Sequence, residues 1–223
     1  MRKFTAAAAL FALGLAGYAA TQPVTSAGGS GHANRPVVHR RAPSRGIAIG
    51  LESVAAVHAA GTARAKVTGT GAGEPVTAMS WLQLSAGAGP ANIVVTPDAQ
   101  AAQFTADPAT VDRLRRILDP RAAAALFTVA SDVRRMGPAR VAGRVAVRYR
   151  LSVELAPRPE MDRAVAEEIA ALRRAGLSTV TADVWLDQVK RPVRVTLTAA
   201  EPGGGSAQSV DCRYYDWGAA ADA

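Results

Sequence analysis

The side chains most often used in catalysis or metal binding are few and scattered in this sequence. Its three histidines, His32, His39 and His58, all precede the strand-rich part of the chain. No cysteine or second histidine stands near His58 at the spacing of a zinc site, and neither HExxH nor GxSxG occurs. The sequence therefore predicts no metal site, no cofactor and no catalytic site, which indicates that the protein is not an enzyme.

Two carboxylates and one glycine-rich stretch also fail to form a catalytic pattern. Asp183 and Asp187 are four residues apart on one predicted strand face, roughly 13 Å along the strand, which is too far for a carboxylate dyad. We expect them to be solvated charges at the edge of the sheet. The stretch 69–73 lacks the Lys-Ser/Thr that follows the glycines of a phosphate-binding loop. It predicts a hairpin turn.

The single cysteine, Cys212, cannot form a disulfide within the chain. It alternates with Val210 and Tyr214, which places it on the apolar side of a strand. Pairing with a second chain is the alternative for an unpaired cysteine in an exported protein. The alternation favours a buried, reduced thiol.

The first twenty residues are typical of a secretory signal peptide. Met1-Arg2-Lys3 is followed by an apolar run from Phe4 to Ala16 and by small residues at a cleavage site. Tyr18 stands where bacterial lipoproteins carry the cysteine that receives the lipid, and a phenol cannot form the thioether. We therefore predict an exported protein, extracellular or in the cell envelope, without a lipid anchor of its own.

The positive charge of the chain is concentrated near its start. The formal net charge is +8, but six of the 26 basic residues precede residue 46 and all 18 acidic residues follow it, so the remainder carries +2. With no nucleic-acid motif present, nucleic-acid binding is not expected. Residues 21–45 are rich in Gly, Ser, Pro and Arg and have no apolar period, which predicts a disordered basic linker. The linker contains Arg35, Arg40, Arg41 and Arg45. Two interpretations remain open: these arginines contact an anionic membrane or cell-wall polymer, or they are solvated and have no partner surface.

Apolar periodicity predicts one folded domain over residues 46–218, followed by a short tail over 219–223. Period-two alternation predicts strands that begin near Ala63 and continue through the C-terminal part of the chain. The strands are 63–67, 76–84, 91–96, 101–105, 145–155, 180–186, 193–199 and 210–217. Such alternation requires one buried and one solvated face, which is typical of an antiparallel sheet covered on one side.

Three segments have the period of a helix. The first places Ile47, Leu51, Val54 and His58 on one stripe and ends at Gly61. The second begins at Asp107-Pro108, is divided by Pro120, and continues through Leu126 and Phe127 to Val133; the third opens at Pro159 and ends at Gly176. Helices packed on the apolar face of a long antiparallel sheet make an α+β domain.

The sequence resembles the actinobacterial LppX/LprG-type envelope lipoproteins, which have a LolA-like fold. The resemblance rests on motifs that occur in the family's order. They are Ala130–Val133, Met136-Gly137, Val141-Ala142-Gly143 and Val147-Arg148-Tyr149, then the hairpin 181–187 with 191–197, and finally Tyr214-Tyr215-Asp216-Trp217-Gly218. It implies a half-barrel of antiparallel strands whose concave apolar face is covered by helices. It also implies a monomer that binds or carries a lipid or glycolipid, with acyl chains held between sheet and helices. Tyr18 departs from the family pattern.

The implied cavity would be lined by apolar residues of the strands and of the third helix. They are Val67, Leu84, Val147, Tyr149, Leu151, Met161, Val165, Ile169, Val184, Val195 and Leu197. The same positions are ordinary core positions in any α+β protein. The alternative is an interaction or sensory module of this fold, with a closed core, that docks through its edge strands.

Overall fold

The computed structural model describes residues 45–71, 73–84, 93–97, 118–156, 163–174, 176–199 and 208–219. Their helices are α1 (Arg45–Ala60), α2 (Pro120–Val129) and α3 (Arg163–Arg174). Their strands are β1 (Thr62–Gly71), β2 (Gly73–Gln83), β3 (Ile93–Pro97), β4 (Asp132–Val141), β5 (Arg144–Glu154), β6 (Thr179–Leu186), β7 (Pro192–Ala199) and β8 (Gln208–Tyr215).

The strands form one antiparallel sheet in the order β3-β2-β1-β8-β7-β6-β5-β4. The chain builds one edge with β1–β3, crosses to the opposite edge, and returns strand by strand until β8 pairs with β1. The glycines of 69–73 join β1 to β2 as the predicted hairpin. The predicted strand 91–96 is present as β3.

Alternating side chains divide the sheet into two faces, as predicted. We call the face that packs against the helices the inner face and the opposite one the outer face. On β5, Tyr149, Leu151 and Val153 are buried on the inner face, whereas Arg150 and Glu154 are exposed. The α+β class, with helices covering one face of an antiparallel sheet, is confirmed.

The start of β5 departs from the predicted pattern. Val145 is 46% exposed, whereas Ala146, predicted to face solvent, is only 1% exposed. Ala146 packs with Trp185 and Val193 in a small apolar cluster on the outer face. Alternation alone indicated one buried face, and it was wrong here because the indole of Trp185 buries its neighbours on the other side.

The buried stripe of α1 matches the predicted one only in part: Val54 is buried as expected. Leu51 is 44% exposed, whereas Ile49 and Val57 are buried. Gly46 and Gly50 are also buried, because α1 packs closely against α2 along these two glycines. A search for apolar residues misses part of the buried stripe when small residues make the helix contact.

Helix α2 begins at the predicted proline but ends earlier than expected. The carboxylate of Asp119 caps it by accepting a hydrogen bond from the Arg121 N–H, and Pro120 occupies the first turn, where no N–H is needed. The helix ends at Val129, and Val133 belongs to β4. Assigning Val133 to the helix was therefore wrong: Ala130 has an extended conformation and redirects the chain into the sheet.

Several predictions lie outside the described residues. They concern the signal segment 1–20 with Tyr18, the linker up to residue 44 with Arg35, Arg40 and Arg41, the strand 101–105, the helix from Asp107 to residue 117, the helix start at Pro159 and Met161, and residues 220–223. Arg45, predicted as the end of the linker, is the first residue of α1.

Candidate lipid-binding face

Most residues predicted to line a cavity lie together in one apolar cluster between the sheet and the helices. The buried members are Val67, Leu84, Tyr149, Leu151, Ile169, Val184, Val195 and Leu197. Val147 packs against this cluster but is only partly buried. Met161 and the side chain of Val165, a residue of α3, lie outside what the structure describes.

Strand register aligns the centre of the inner face into a continuous apolar row. Tyr149, Val184, Val195, Cys212 and Val67 are successive cross-strand neighbours on β5, β6, β7, β8 and β1. At about 4.8 Å between strands, this row spans roughly 19 Å. The sequence predicted the members of the row, but only the register shows that they are adjacent.

The helix nearest this row presents both small and aromatic side chains to it. Ala122 and Ala123 of α2 are fully buried within the same cluster. The ring of Phe127 meets the ring of Tyr149 edge-on, with centroids 5.4 Å apart and planes at 79°. The two alanines occupy less volume above the sheet than larger residues would, whereas the aromatic pair packs tightly at one point.

A buried ion pair fixes the start of α2 beside the cluster. The carboxylate of Asp119 and the guanidinium of Arg121 approach to 2.7 Å, and their side chains are only 7% and 11% exposed. Removing one partner of such a pair leaves a buried charge without compensation. The sequence predicted a division of the helix at Pro120 but not the cap or the ion pair, whose only sequence signal is an acid and a base two residues apart.

The thiol of Cys212 is fully buried in the middle of the inner row, as predicted. Burial raises its pKa to about 12, because the thiolate would have to exist without solvation. Burial also raises the pKa of Tyr214 well above its ordinary value. The inner face is therefore uncharged at neutral pH at both positions.

The expectation of solvated edge charges at Asp183 and Asp187 was wrong. Asp183 lies on β6, inside the sheet, and accepts hydrogen bonds from Arg148 at 2.7 Å and Arg150 at 3.1 Å. Burial alone would raise the pKa of Asp183, but the hydrogen bonds and charges of the two arginines outweigh it and lower that pKa.

Asp187 organises the turn between β6 and β7. Its carboxylate accepts the backbone N–H groups of Val189 and Arg191 and pairs with the Arg191 guanidinium. A carboxylate that closes a turn in this way is a common local motif of Asp. Both aspartates thus have structural partners, and these partners could not be inferred from sequence spacing alone.

Within the described ranges, no group of His, Cys, Asp and Glu side chains is arranged to hold a metal ion. Among the helices that the structure describes, none is both long and apolar enough to span a membrane.

The fold was compared with known proteins. No protein-family profile and no curated protein sequence matches the chain. Among solved structures, LprF from Mycobacterium bovis is 14% identical with a TM-score of 0.44, covering 79% of this chain and 94% of its own. The lipoprotein LppX from Mycobacterium tuberculosis is 12% identical with a TM-score of 0.42, covering 79% and 97%.

The chain is similar to both in fold. A third structure, the MucA/MucB complex from Pseudomonas aeruginosa, is 15% identical with a TM-score of 0.36, and covers 76% of this chain and 55% of the matched chain. At such identities the likeness concerns the fold alone.

Proposed function

We propose that this domain binds the acyl chains of a lipid between the inner face of the sheet and the helices. The observation that carries the proposal is the composition of that face. The described side chains that β1, β6, β7 and β8 bury on it are aliphatic, apart from the thiol of Cys212 and the ring of Tyr214. An uncharged face roughly 19 Å wide suits an apolar chain.

The covering helices support the same proposal. The contacts between α1 and α2 involve Gly46 and Gly50, and α2 turns Ala122 and Ala123 toward the sheet. Small side chains on a covering helix fill less of the space above the strands than leucines would. A ligand chain would then complete the packing without displacing a large part of the core.

Lipid extraction and native mass spectrometry of the purified protein test the proposal directly. We expect co-purifying lipid with at least one acyl chain. A substitution then separates an occupied face from a closed core: Val184 is fully buried between Tyr149 and Val195. Val184→Trp should displace the lipid while leaving the free energy of unfolding near that of the parent. Thr181→Trp, on the outer face of the same strand, is the matched control and should retain lipid.

In a closed core the same tryptophan overfills the space and costs about 1–3 kcal/mol or more. A strongly destabilised Val184→Trp protein, together with no lipid in the parent, would contradict the proposal. Val147 is less suitable for this test, although it lies on the same face, because it is partly exposed and a ring there could turn toward solvent.

One observation favours a second candidate, an interaction module with a closed core. Phe127 and Tyr149 are 1% and 5% exposed and pack edge-on between α2 and β5, where a ligand would otherwise lie. Such a module would dock through edge strand β4, which exposes Met136. Phe127→Ala tests this: in a closed core it costs about 3–5 kcal/mol, whereas on a lipid-filled face the ligand compensates for much of the loss.

The proposal includes export to the cell envelope. Residues 1–20 have the charged start, apolar run and small residues of a signal peptide. Because Tyr18 stands at the lipoprotein cysteine position, the exported protein would carry lipid as a ligand rather than as a covalent anchor. Fractionation of an expressing bacterium tests this, and a cytoplasmic, uncleaved chain would contradict it.

A further inference from the structure

The outer face carries a row of basic side chains that the acyl-binding proposal does not use. Arg148, Trp185, Arg194, Arg213 and Lys66 are successive cross-strand neighbours on β5, β6, β7, β8 and β1. Four of these five neighbours are cations, and they span roughly 19 Å across the sheet. They lie on the alternate positions of the strands that form the inner apolar row.

The tryptophan in this row holds its two arginine neighbours in place. The Arg148 and Arg194 guanidinium carbons lie 5.2 and 4.9 Å from the centroid of the Trp185 ring, on which both stack. Stacked guanidinium groups keep their edge N–H donors available for other partners. The arginines are thus positioned while remaining about one third exposed.

Two carboxylates pair with the arginines of this face but do not neutralise their total charge. Asp183 pairs with Arg148 and Arg150, and Asp211 pairs with Arg194 and Arg213. Each aspartate therefore serves two guanidinium groups. With Lys66 added, five cations share two carboxylates, so this part of the outer face keeps an excess of three positive charges.

A small cavity of about 210 Å³ opens on the same face, between β1 and β8. Three of its lining residues have hydrogen-bond donors: Lys66 an ammonium, Thr68 a hydroxyl and Arg213 a guanidinium. Asp211 also lines it, but Arg194 and Arg213 already offset its charge. Such a concave group of donors suits a phosphate.

We propose that the outer face docks on a membrane surface that contains anionic phospholipids. The cations extend in two directions, across the sheet from β5 to β1 and along β5 from Arg148 to Arg150, so a surface with many phosphates can contact several of them at once. A peptide that added to the sheet would bind at an edge strand instead. The docking face is opposite the face proposed to hold acyl chains, and the inference does not depend on that proposal.

Vesicle co-sedimentation of the processed chain tests the docking face. Vesicles of phosphatidylcholine alone are compared with vesicles in which about a third is phosphatidylglycerol. We expect binding only to the anionic vesicles at about 0.1 M salt, and its loss at about 1 M, because the screening length falls from about 10 to about 3 Å. Binding that is equal on both vesicles, or unchanged at high salt, would overturn the proposal.

A pair of variants with equal charge assigns the effect to this face. Each cation near an anionic membrane strengthens binding by about fivefold, so Lys66→Gln with Arg213→Gln should weaken it by about 25-fold. Arg194 still pairs with Asp211 in this variant. The control, Arg173→Gln with Arg174→Gln, removes the same charge from exposed positions in the last turn of α3 and should change binding by less than about twofold.

Equal loss in the two variants would show that only net charge matters, and would overturn the proposal. The conservative pair Lys66→Arg with Arg213→Lys keeps the charge and should retain binding; loss of binding in this pair would show that charge on this face does not explain binding, and would overturn the proposal. Soluble polyglutamate is the last comparison. If it binds the parent protein more tightly than anionic vesicles do, the face recognises an acidic polymer and the membrane assignment is wrong.

Discussion

Replacing Gly50 of α1 by alanine should destabilise the domain, although alanine is the better helix former. A Cβ at this position would lie 2.9 Å from Thr128 Cγ2, 3.1 Å from Phe127 Cβ and 3.3 Å from the Ala124 carbonyl oxygen. The last two atoms are fixed by the backbone of α2. The Thr128 side chain is held by a hydrogen bond from its hydroxyl to the Ala125 carbonyl at 2.8 Å.

The magnitude follows from two opposing effects. Overfilling a packed contact costs about 1–3 kcal/mol, and we expect the upper part of this range because none of the three atoms moves freely. The better helix propensity of alanine returns about 1 kcal/mol. The net loss in the free energy of unfolding should be about 1–2 kcal/mol, or about 2–4 °C in Tm for each kcal/mol in a domain of this size.

Chemical denaturation of the parent and of a double-mutant cycle measures this effect. Thr128→Ser removes the Cγ2 atom that the new methyl group meets but keeps the hydroxyl, so Gly50→Ala should cost less in that background. Ala55→Gly, at an exposed position of the same helix, calibrates the propensity effect. If Gly50→Ala raises Tm in the parent, or if Thr128→Ser gives no relief, the two helices are not in close contact and the reasoning fails.

Three further predictions concern titration and export. Stability from the protonated Cys212 thiol is fully present below about pH 9, the thiol's ordinary value, and is lost as pH rises toward the folded pKa of about 12; Cys212→Ala should flatten this alkaline decline, by up to about 1.4 kcal/mol per pH unit. The lowered pKa of Asp183 has the opposite sign: its contribution is present above about pH 4 and is lost as pH falls. Asp183→Asn should therefore flatten the acid side of the stability profile, and an unchanged profile would contradict the role of Arg148 and Arg150. Tyr18→Cys should permit labelling by a palmitate analogue that the parent does not incorporate, and a labelled parent would defeat the prediction.

Period-two alternation was sufficient to predict most of the sheet, because each central strand buries one face and solvates the other. It gave the class of the fold and the burial of Cys212 without any knowledge of pairing. It failed at Val145 and Ala146, where the outer face has an apolar cluster of its own around Trp185. The sequence of β5 alone does not indicate that Trp185 of the neighbouring strand covers its outer face.

Two of the other errors share a physical cause, which is that the decisive partner is distant in sequence. The α1 stripe was predicted only in part, because Gly50 lies against α2 and no local sequence pattern indicates that contact. Asp183 was expected in solvent because its partners, Arg148 and Arg150, are more than thirty residues away. Both arginines are visible in the sequence as alternate positions of a strand, but only register brings them to the carboxylate.

The two proposed surfaces follow from one register, and this makes them separable by experiment. Val184 faces the helices, and its neighbours Asp183 and Trp185 face the opposite side, because successive side chains of a strand alternate. A one-residue slip of β6 would turn the carboxylate of Asp183 toward the core and away from its two arginines on β5, so the apolar inner face and the basic outer face depend on the same register. A tryptophan at Val184 and a neutral residue at Lys66 nevertheless act on opposite sides of the sheet. If both substitutions removed acyl chains and vesicle binding together, the two faces would not be independent sites.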